Sequence, residues 1–129
     1  MYRALAVAVG FALIPLISGA QEANPYNGQW MARWKNPMGT TVEARVVIKD
    51  AGGTWRLLGS NRGDNCFERD FPLVVGRATE TEFAFSVRAS QVVRGCADSG
   101  VRAVPSGEKR LDGKFRDGTA VTLERQQRE

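Results

Sequence analysis

The chain has 129 residues, is 43% hydrophobic and 25% charged, and carries a formal net charge of +4 at pH 7. This length allows one ordinary domain with a single hydrophobic core. Charges of both signs are interspersed rather than clustered, which argues against a nucleic-acid-binding surface. The absence of histidine removes the commonest general base and the commonest zinc ligand, so we expect neither a metal nor a cofactor.

The N-terminal segment has the layout of a secretory signal peptide. One positive charge at Arg3 precedes an apolar run over residues 4–16, and small residues lead to Ala20. We therefore predict a signal peptide over residues 1–20 and a single β domain over residues 21–129, periplasmic or secreted. The rest of the chain has no apolar stretch near the ~20 residues that a membrane-spanning helix needs, so the protein is not expected to span a membrane.

The exported part alternates apolar and polar residues between turn residues that recur every eight to twelve positions, a pattern typical of all-β domains. In chain order, the predicted strands are 29–35, 41–49, 54–58, 67–75, 82–87, 101–104, 111–115 and 119–125, with a short helical turn possible within 89–95. Pro72 implies that the fourth strand is an edge strand, is bulged, or is shorter than this. About eight strands indicate a small antiparallel barrel or sandwich, and the pattern leaves that choice open.

Two hairpins can be registered from burial alone. A four-residue loop over 50–53 would place Ile48 opposite Trp55 and Val46 opposite Leu57, with their side chains on one face.

For the last hairpin, Asp117-Gly118 suggests a two-residue turn, but that register would turn apolar residues to the outside. A three-residue loop over 116–118, with Gly118 left-handed, instead pairs Leu111 with Leu123 and Gly113 with Val121. The second register is preferred because it buries the apolar side chains.

Two cysteines, Cys66 and Cys96, are present. In an exported domain an even pair is typical of a structural disulfide. A redox-active pair usually shows Cys-x-x-Cys spacing, which this chain lacks. We therefore predict a Cys66–Cys96 bridge worth about 3–4 kcal/mol by loop-closure entropy.

Three tryptophans, Trp30, Trp34 and Trp55, are the strongest candidates for a ligand-lining surface, because aromatic walls bind flat or apolar ligands. We favour the other interpretation, in which they form the core, because a small domain has few other large side chains to fill its interior. Carboxylates with alternate spacing occur at 80 and 82 and at 68 and 70, but solvated strand faces carry such pairs routinely, and we assign no catalytic residue.

The segment Asn27-Gly28-Gln29-Trp30 resembles the Gly-x-Trp opening of lipocalin-like and avidin-like barrels. In lipocalins this tryptophan packs at the barrel floor beneath an arginine of the last strand. The resemblance implies that Arg125 lies over Trp30 here. It covers only the two ends of the chain, so no ligand cavity is carried over.

A second resemblance rests on Asn-Gly-x-Trp at 27–30, Gly-Gly-Thr-Trp-Arg at 52–56, a cysteine at 66, Phe-Pro at 71–72, Gly-Cys-x-Asp at 95–98 and Leu-Asp-Gly at 111–113. In this order they look like small uncharacterised secreted β proteins of Gram-negative bacteria with one disulfide. The resemblance implies one exported domain with one disulfide, and it implies no activity.

These observations favour a non-enzymatic binding or interaction module of the bacterial envelope, engaging a protein partner or an envelope polymer. We expect a monomer. The alternative function is a small-ligand carrier with a Trp-lined, lipocalin-like interior, and an enzyme ranks third. An exported bacterial protein is also an antigen candidate.

Overall fold

The computed structural model describes residues 10, 23–60 and 63–127. The predicted signal peptide and its cleavage site therefore lie, apart from Gly10, outside the described residues. Within the described ranges, no helix has the length and apolar character needed to cross a membrane.

Eight antiparallel strands follow one another around a closed barrel, and β8 pairs with β1 to complete it. The barrel alternative is therefore confirmed over the sandwich. The helical turn is present as a short 3-10 helix, Ala89–Gln91, between β5 and β6. The strands are β1 Gly28–Lys35, β2 Thr41–Lys49, β3 Gly52–Leu57, β4 Asp70–Ala78, β5 Phe83–Val87, β6 Ser99–Gly107, β7 Arg110–Phe115 and β8 Ala120–Arg125.

The alternation of residues along each strand creates the core. Successive side chains point to opposite faces of a strand, so every second residue enters the barrel. In β1 the inward positions include Trp30 and Ala32, which are 1% and 0% exposed. Leu123 of β8 lies opposite Ala32 and is 0% exposed, so closure of the sheet brings the first and last strands into one core.

The predicted register of the β2–β3 hairpin is wrong by two residues. Val46 lies opposite Trp55, and Ile48 lies opposite Gly53. The loop contains only residues 50 and 51, and Asp50 adopts a left-handed conformation with φ of 56°. A shift of two residues keeps every side chain on its predicted face, so burial could not distinguish the two registers.

The predicted register of the β7–β8 hairpin is confirmed. Leu111 lies opposite Leu123 and Gly113 opposite Val121. The loop has three residues, and Gly118 is left-handed with φ of 93°.

Strand β4 carries Pro72 inside a closed barrel, so it is not an edge strand. It begins later than predicted, and its pairing with β5 contains a bulge between Val75 and Arg77. The Pro72 carbonyl accepts a hydrogen bond from the backbone N–H of Arg88, which follows the last residue of β5. In antiparallel strands the backbone nitrogen and oxygen of one residue point to the same neighbouring strand. The nitrogen of Pro72, which carries no hydrogen, therefore points toward β5 at the end of the β4–β5 ladder.

The up-and-down order gives the barrel two distinct ends. The floor end carries residues 23–27, the tight β2–β3, β4–β5 and β6–β7 connections and the chain after β8. The opposite end carries the connections 36–40, 88–98 and 116–119 and the described residues 58–60 and 63–69, and we call it the disulfide end.

Candidate binding site

The floor end is closed by the chain that precedes β1. Tyr26 is 5% exposed and stacks on Phe83 with ring centroids 4.4 Å apart. Its hydroxyl donates a hydrogen bond to the carbonyl of Thr79, and its own carbonyl accepts one from Trp30 Nε1 at 2.8 Å. Burial, and secondarily the charge of Glu80, raises the pKa of Tyr26, so the phenol stays protonated in this role.

Arg125 lies over Trp30, the position expected for it from the sequence. Its guanidinium carbon is 4.3 Å from the ring centroid, within the range of a cation–π contact. Its terminal nitrogens donate to the carbonyls of Asn27 at 2.6 Å and Pro25 at 3.0 Å. A Cβ at Gly28 would lie 2.9 Å from this guanidinium, so the glycine leaves room for it. Trp30 and Arg125 thus seal the floor.

The disulfide end is tethered by the predicted Cys66–Cys96 bridge, which is present with a Cα–Cα distance of 5.7 Å. It joins the β3–β4 connection to the β5–β6 connection. Cys96 is 4% exposed and packs with the core. The bridge therefore fixes the two longest loops of this end relative to each other.

An aromatic cluster lies at the disulfide end beneath these loops. Trp34 stacks on Trp55 at 5.6 Å between centroids and meets Phe115 edge-on at 5.0 Å. Trp55 is 3% exposed, whereas Trp34 and Phe115 are only partly buried. The three tryptophans singled out in the sequence therefore occupy different environments. Trp30 and Trp55 are buried in the core, Trp30 at the floor end, whereas Trp34 is partly buried and lines the rim of the disulfide end.

A cleft of about 390 Å³ opens beside Trp34 and Phe115, and we call it the end cleft. This volume falls in the range of small-molecule or side-chain sites, roughly 300–1,000 Å³. Its apolar and small lining residues are Trp34, Pro37, Ala97, Ser99, Gly100 and Phe115, and its polar ones are Lys35, Asn36, Asp98, Arg116, Asp117 and Thr119.

Local hydrogen bonds hold the rim of the end cleft in place. The Asn36 side-chain oxygen accepts from the N–H groups of Met38 and Thr40 at 3.0 and 2.9 Å. Asp98 accepts from the backbone N–H of Ser90 at 2.9 Å and from its hydroxyl at 3.0 Å. These bonds lower the pKa of Asp98, with smaller contributions from nearby arginines. The rim is thus pre-organised, which reduces the entropic cost of binding.

Asp117 completes the rim in the same manner. Its carboxylate accepts from the backbone N–H of Thr119 at 2.8 Å, and this bond lowers its pKa.

Three of the four alternately spaced carboxylates noted in the sequence, all except Glu80, form surface ion pairs among the described residues. Asp70 and Glu68 contact Arg56 at 2.9 and 3.6 Å, and Glu82 contacts Arg77 and Arg102 at 3.5 and 3.3 Å. Among the described residues, no group of three or more Cys, Asp or Glu side chains is placed to hold a metal ion. The end cleft offers aromatic surface together with amide, carboxylate, ammonium and guanidinium groups that can contact a ligand.

Phe115 and the rim residues of the end cleft were not among the candidates predicted from the sequence. In the sequence Phe115 is an apolar residue at the end of a strand, with nothing to mark it as part of a site. It comes close to Trp34 only because β8 pairs with β1 and closes the barrel. Short-range patterns do not encode that closure.

The described residues define an eight-stranded, up-and-down antiparallel β-barrel. The chain is similar to a solved structure of a redesigned β-barrel, with a TM-score of 0.54 and 16% sequence identity, over 80% of this chain and 93% of that one. At this identity the likeness shows the fold alone. No protein-family model and no curated protein matches the chain.

Proposed function

We propose that the protein is an exported, non-enzymatic binding module of the bacterial envelope, and that it engages a protein partner or an envelope polymer through the end cleft. The observation that carries the proposal is the contrast between the two barrel ends. The floor is sealed by Tyr26, Trp30 and Arg125, whereas Trp34 and Phe115 remain partly exposed at the disulfide end.

The end cleft has the composition of a recognition site. Partly exposed aromatic rings supply large contact area at low cost in side-chain entropy, and rim amides and carboxylates supply directional contacts. Trp34 is rigid because Trp55 and Phe115 pack against it. A ring that is held in this way loses little freedom on binding.

The alternative of a small-ligand carrier with an internal cavity has less support. Large side chains that are 0–2% exposed occupy the barrel interior along its length. They are Trp30, Phe71, Phe83, Leu73, Leu111 and Leu123.

Export is part of the proposal. It is supported by the signal-peptide pattern of residues 1–20, by the resemblance to small secreted β proteins of Gram-negative bacteria, and by the disulfide, which persists in oxidising compartments. Mass spectrometry of the protein from a Gram-negative periplasmic or culture fraction should give an N-terminus at Gln21. An intact Met1 on all of that protein would contradict export with cleavage.

The binding site is tested with the oxidised mature domain immobilised and exposed to two separate probes, purified peptidoglycan and detergent-free envelope protein extract. Ala97→Gln places a larger side chain on the exposed rim, and Trp34→Ala removes the aromatic wall. Val74→Ser is the matched control, because Val74 is 45% exposed on the barrel wall away from the cleft.

We expect the wild type and the Val74 variant to bind one of the two probes. Both cleft variants should bind that probe with about tenfold lower affinity, which corresponds to about 1.4 kcal/mol of binding free energy. Circular dichroism checks that each variant is folded. Equal retention by all four proteins would contradict the end cleft as the binding site.

A further inference from the structure

A second cleft of about 470 Å³ lies on the outer wall of the barrel across β4, β5, β6 and β7, and we call it the wall cleft. Its floor is formed by small residues, and its rim carries three basic side chains. The floor residues are Gly76, Ala84, Ser86 and Gly100, and the basic residues are Arg102, Lys114 and Arg116.

The backbone creates this floor in two ways. Gly76 lies in the β4–β5 bulge, where the regular pairing is interrupted between Val75 and Arg77. At Gly100, a Cβ would lie 2.6 Å from Arg116 Nε, so the arginine side chain lies directly across the glycine. The absence of a side chain at Gly76 lets a ligand approach the backbone closely there, whereas the space beside Gly100 is filled by the Arg116 side chain.

The basic residues are arranged at a cost to the sheet. Arg102 of β6 lies directly opposite Lys114 of β7, and like charges in that position destabilise a strand pair. Arg102 contacts Glu82 through Nε at 3.3 Å, and its side chain remains 80% exposed. Within the described part of the chain, neither Lys114 nor Arg116 forms an ion pair with a carboxylate.

We infer that the wall cleft is an anion site that takes the phosphate group of a small, multiply charged ligand. The planar guanidinium of Arg102 matches phosphate oxygens in a two-point contact, and Lys114 adds a mobile point charge from the facing strand. A phosphate held between them replaces mutual repulsion with attraction. The cleft volume fits a small molecule rather than a folded chain.

This inference does not depend on the proposed function of the end cleft. The two clefts share Gly100, Phe115 and Arg116 at their boundary, so the test uses residues that line the wall cleft and not the end cleft. Arg102 and Lys114 meet this condition, and both are exposed.

The probe is inorganic pyrophosphate, titrated into the oxidised mature domain at low ionic strength and followed by calorimetry and by amide chemical shifts. The test variant is Arg102→Gln with Lys114→Gln. The control is Arg45→Gln with Arg69→Gln, which removes the same charge from exposed positions outside the cleft. A parallel titration with chloride at the same ionic strength separates binding of pyrophosphate from general screening of charges.

We expect saturable binding with shifts at the amides of Gly76, Ala84 and Ser86, which line the wall cleft and not the end cleft. The test variant should lose affinity by about tenfold or more, whereas the control should stay within about twofold. Ala97→Gln should leave pyrophosphate affinity unchanged, which separates this result from that of the end cleft. Equal loss in test and control variants, or no saturation, would overturn the site.

A lipid source of the phosphate is examined with phosphatidylcholine vesicles that contain phosphatidic acid. Co-sedimentation that depends on Arg102 and Lys114, without saturable binding of pyrophosphate, would overturn the small-molecule assignment.

Discussion

Gly53 is the position where a single added carbon has the clearest consequence. It lies opposite Ile48 in the β2–β3 hairpin, and a Cβ there would be 1.9 Å from the carbonyl oxygen of Val47. We predict that Gly53→Ala lowers the free energy of unfolding by about 3 kcal/mol or more, because backbone atoms must move to admit it. Urea unfolding at equilibrium measures the change.

Gly107→Ala is the matched control for this substitution. A Cβ at Gly107 would meet nothing within 4 Å, and the residue has no positive φ. Its effect should stay within about 0.5 kcal/mol. Equal stability of the two alanine variants would show that the hairpin has a different register from the one described.

Trp30 and Trp34 point to the same face of β1 but lie in different environments, and the sequence pattern predicts only the face. Alternation in β1 assigned Trp30 and Trp34 to the same face, and both do face the interior side of the strand. Their environments differ because Trp30 lies under the preceding chain and Arg125, whereas Trp34 lies at the open rim. Period-two alternation encodes the face of a residue but not its height along the barrel.

At the scale of elements, alternation located all eight strands, but it determined the register of only some hairpins. In the β7–β8 hairpin the competing registers differed by side-chain face, so burial selected the correct pairing of Leu111 with Leu123. In the β2–β3 hairpin the two registers differed by two residues and left every face unchanged. The deciding feature there is steric, at Gly53, and it becomes visible only when the partner strand is in place.

The disulfide acts on elements, because it connects two loops at one end of the barrel. Its sequence separation is 30 residues. We predict that Cys66→Ser with Cys96→Ser lowers stability by about 3–4 kcal/mol, mainly by freeing the unfolded chain. Thermal unfolding measures this loss, and the reduced wild type should match the double variant.

Hydrogen exchange locates the effect of the missing bridge. In the double variant, amides in residues 88–98 should exchange through local opening, at a free energy below that of global unfolding. Amides around Trp30 should exchange only through global unfolding. An unchanged melting temperature for the double variant would contradict the structural role of the bridge.

For the whole molecule, closure of β1 against β8 explains why no strand in the described barrel is left as an edge. It also explains why the end cleft was not predicted from the sequence, because Trp34 of β1 and Phe115 of β7 come together only when β8 pairs with β1. The wall cleft lies across consecutive strands, and it depends instead on their registers, which place Ala84 opposite Arg102 and Arg102 opposite Lys114. Composition and alternation indicate that a barrel can form, but they do not indicate which loops share an end.

The pH dependence of stability is also a property of the whole molecule. The chain has no histidine, so no side chain has its ordinary pKa between pH 5 and 8, and stability should be nearly flat there. Asp98 and Asp117 have lowered pKa values because the backbone N–H groups of Ser90 and Thr119 donate hydrogen bonds to them. The pKa of Asp70 is lowered because the Arg56 side chain donates a hydrogen bond to it. A carboxylate with a lowered pKa stabilises the fold above its unfolded pKa of about 3.9, and this contribution is lost as pH falls through the folded value.

We therefore predict that the melting temperature of the oxidised domain changes little from pH 8 to pH 5 and falls below about pH 4. Asp98→Asn with Asp117→Asn should lower the melting temperature at pH 7, and the difference from wild type should shrink as the pH approaches 2. Asp112→Asn is the control, because Asp112 is an exposed strand residue paired only with Arg110 among the described ion pairs. Scanning calorimetry across this range measures both effects. A difference from wild type that stays constant from pH 7 to pH 2 would mean that the rim hydrogen bonds do not depend on the ionised carboxylates.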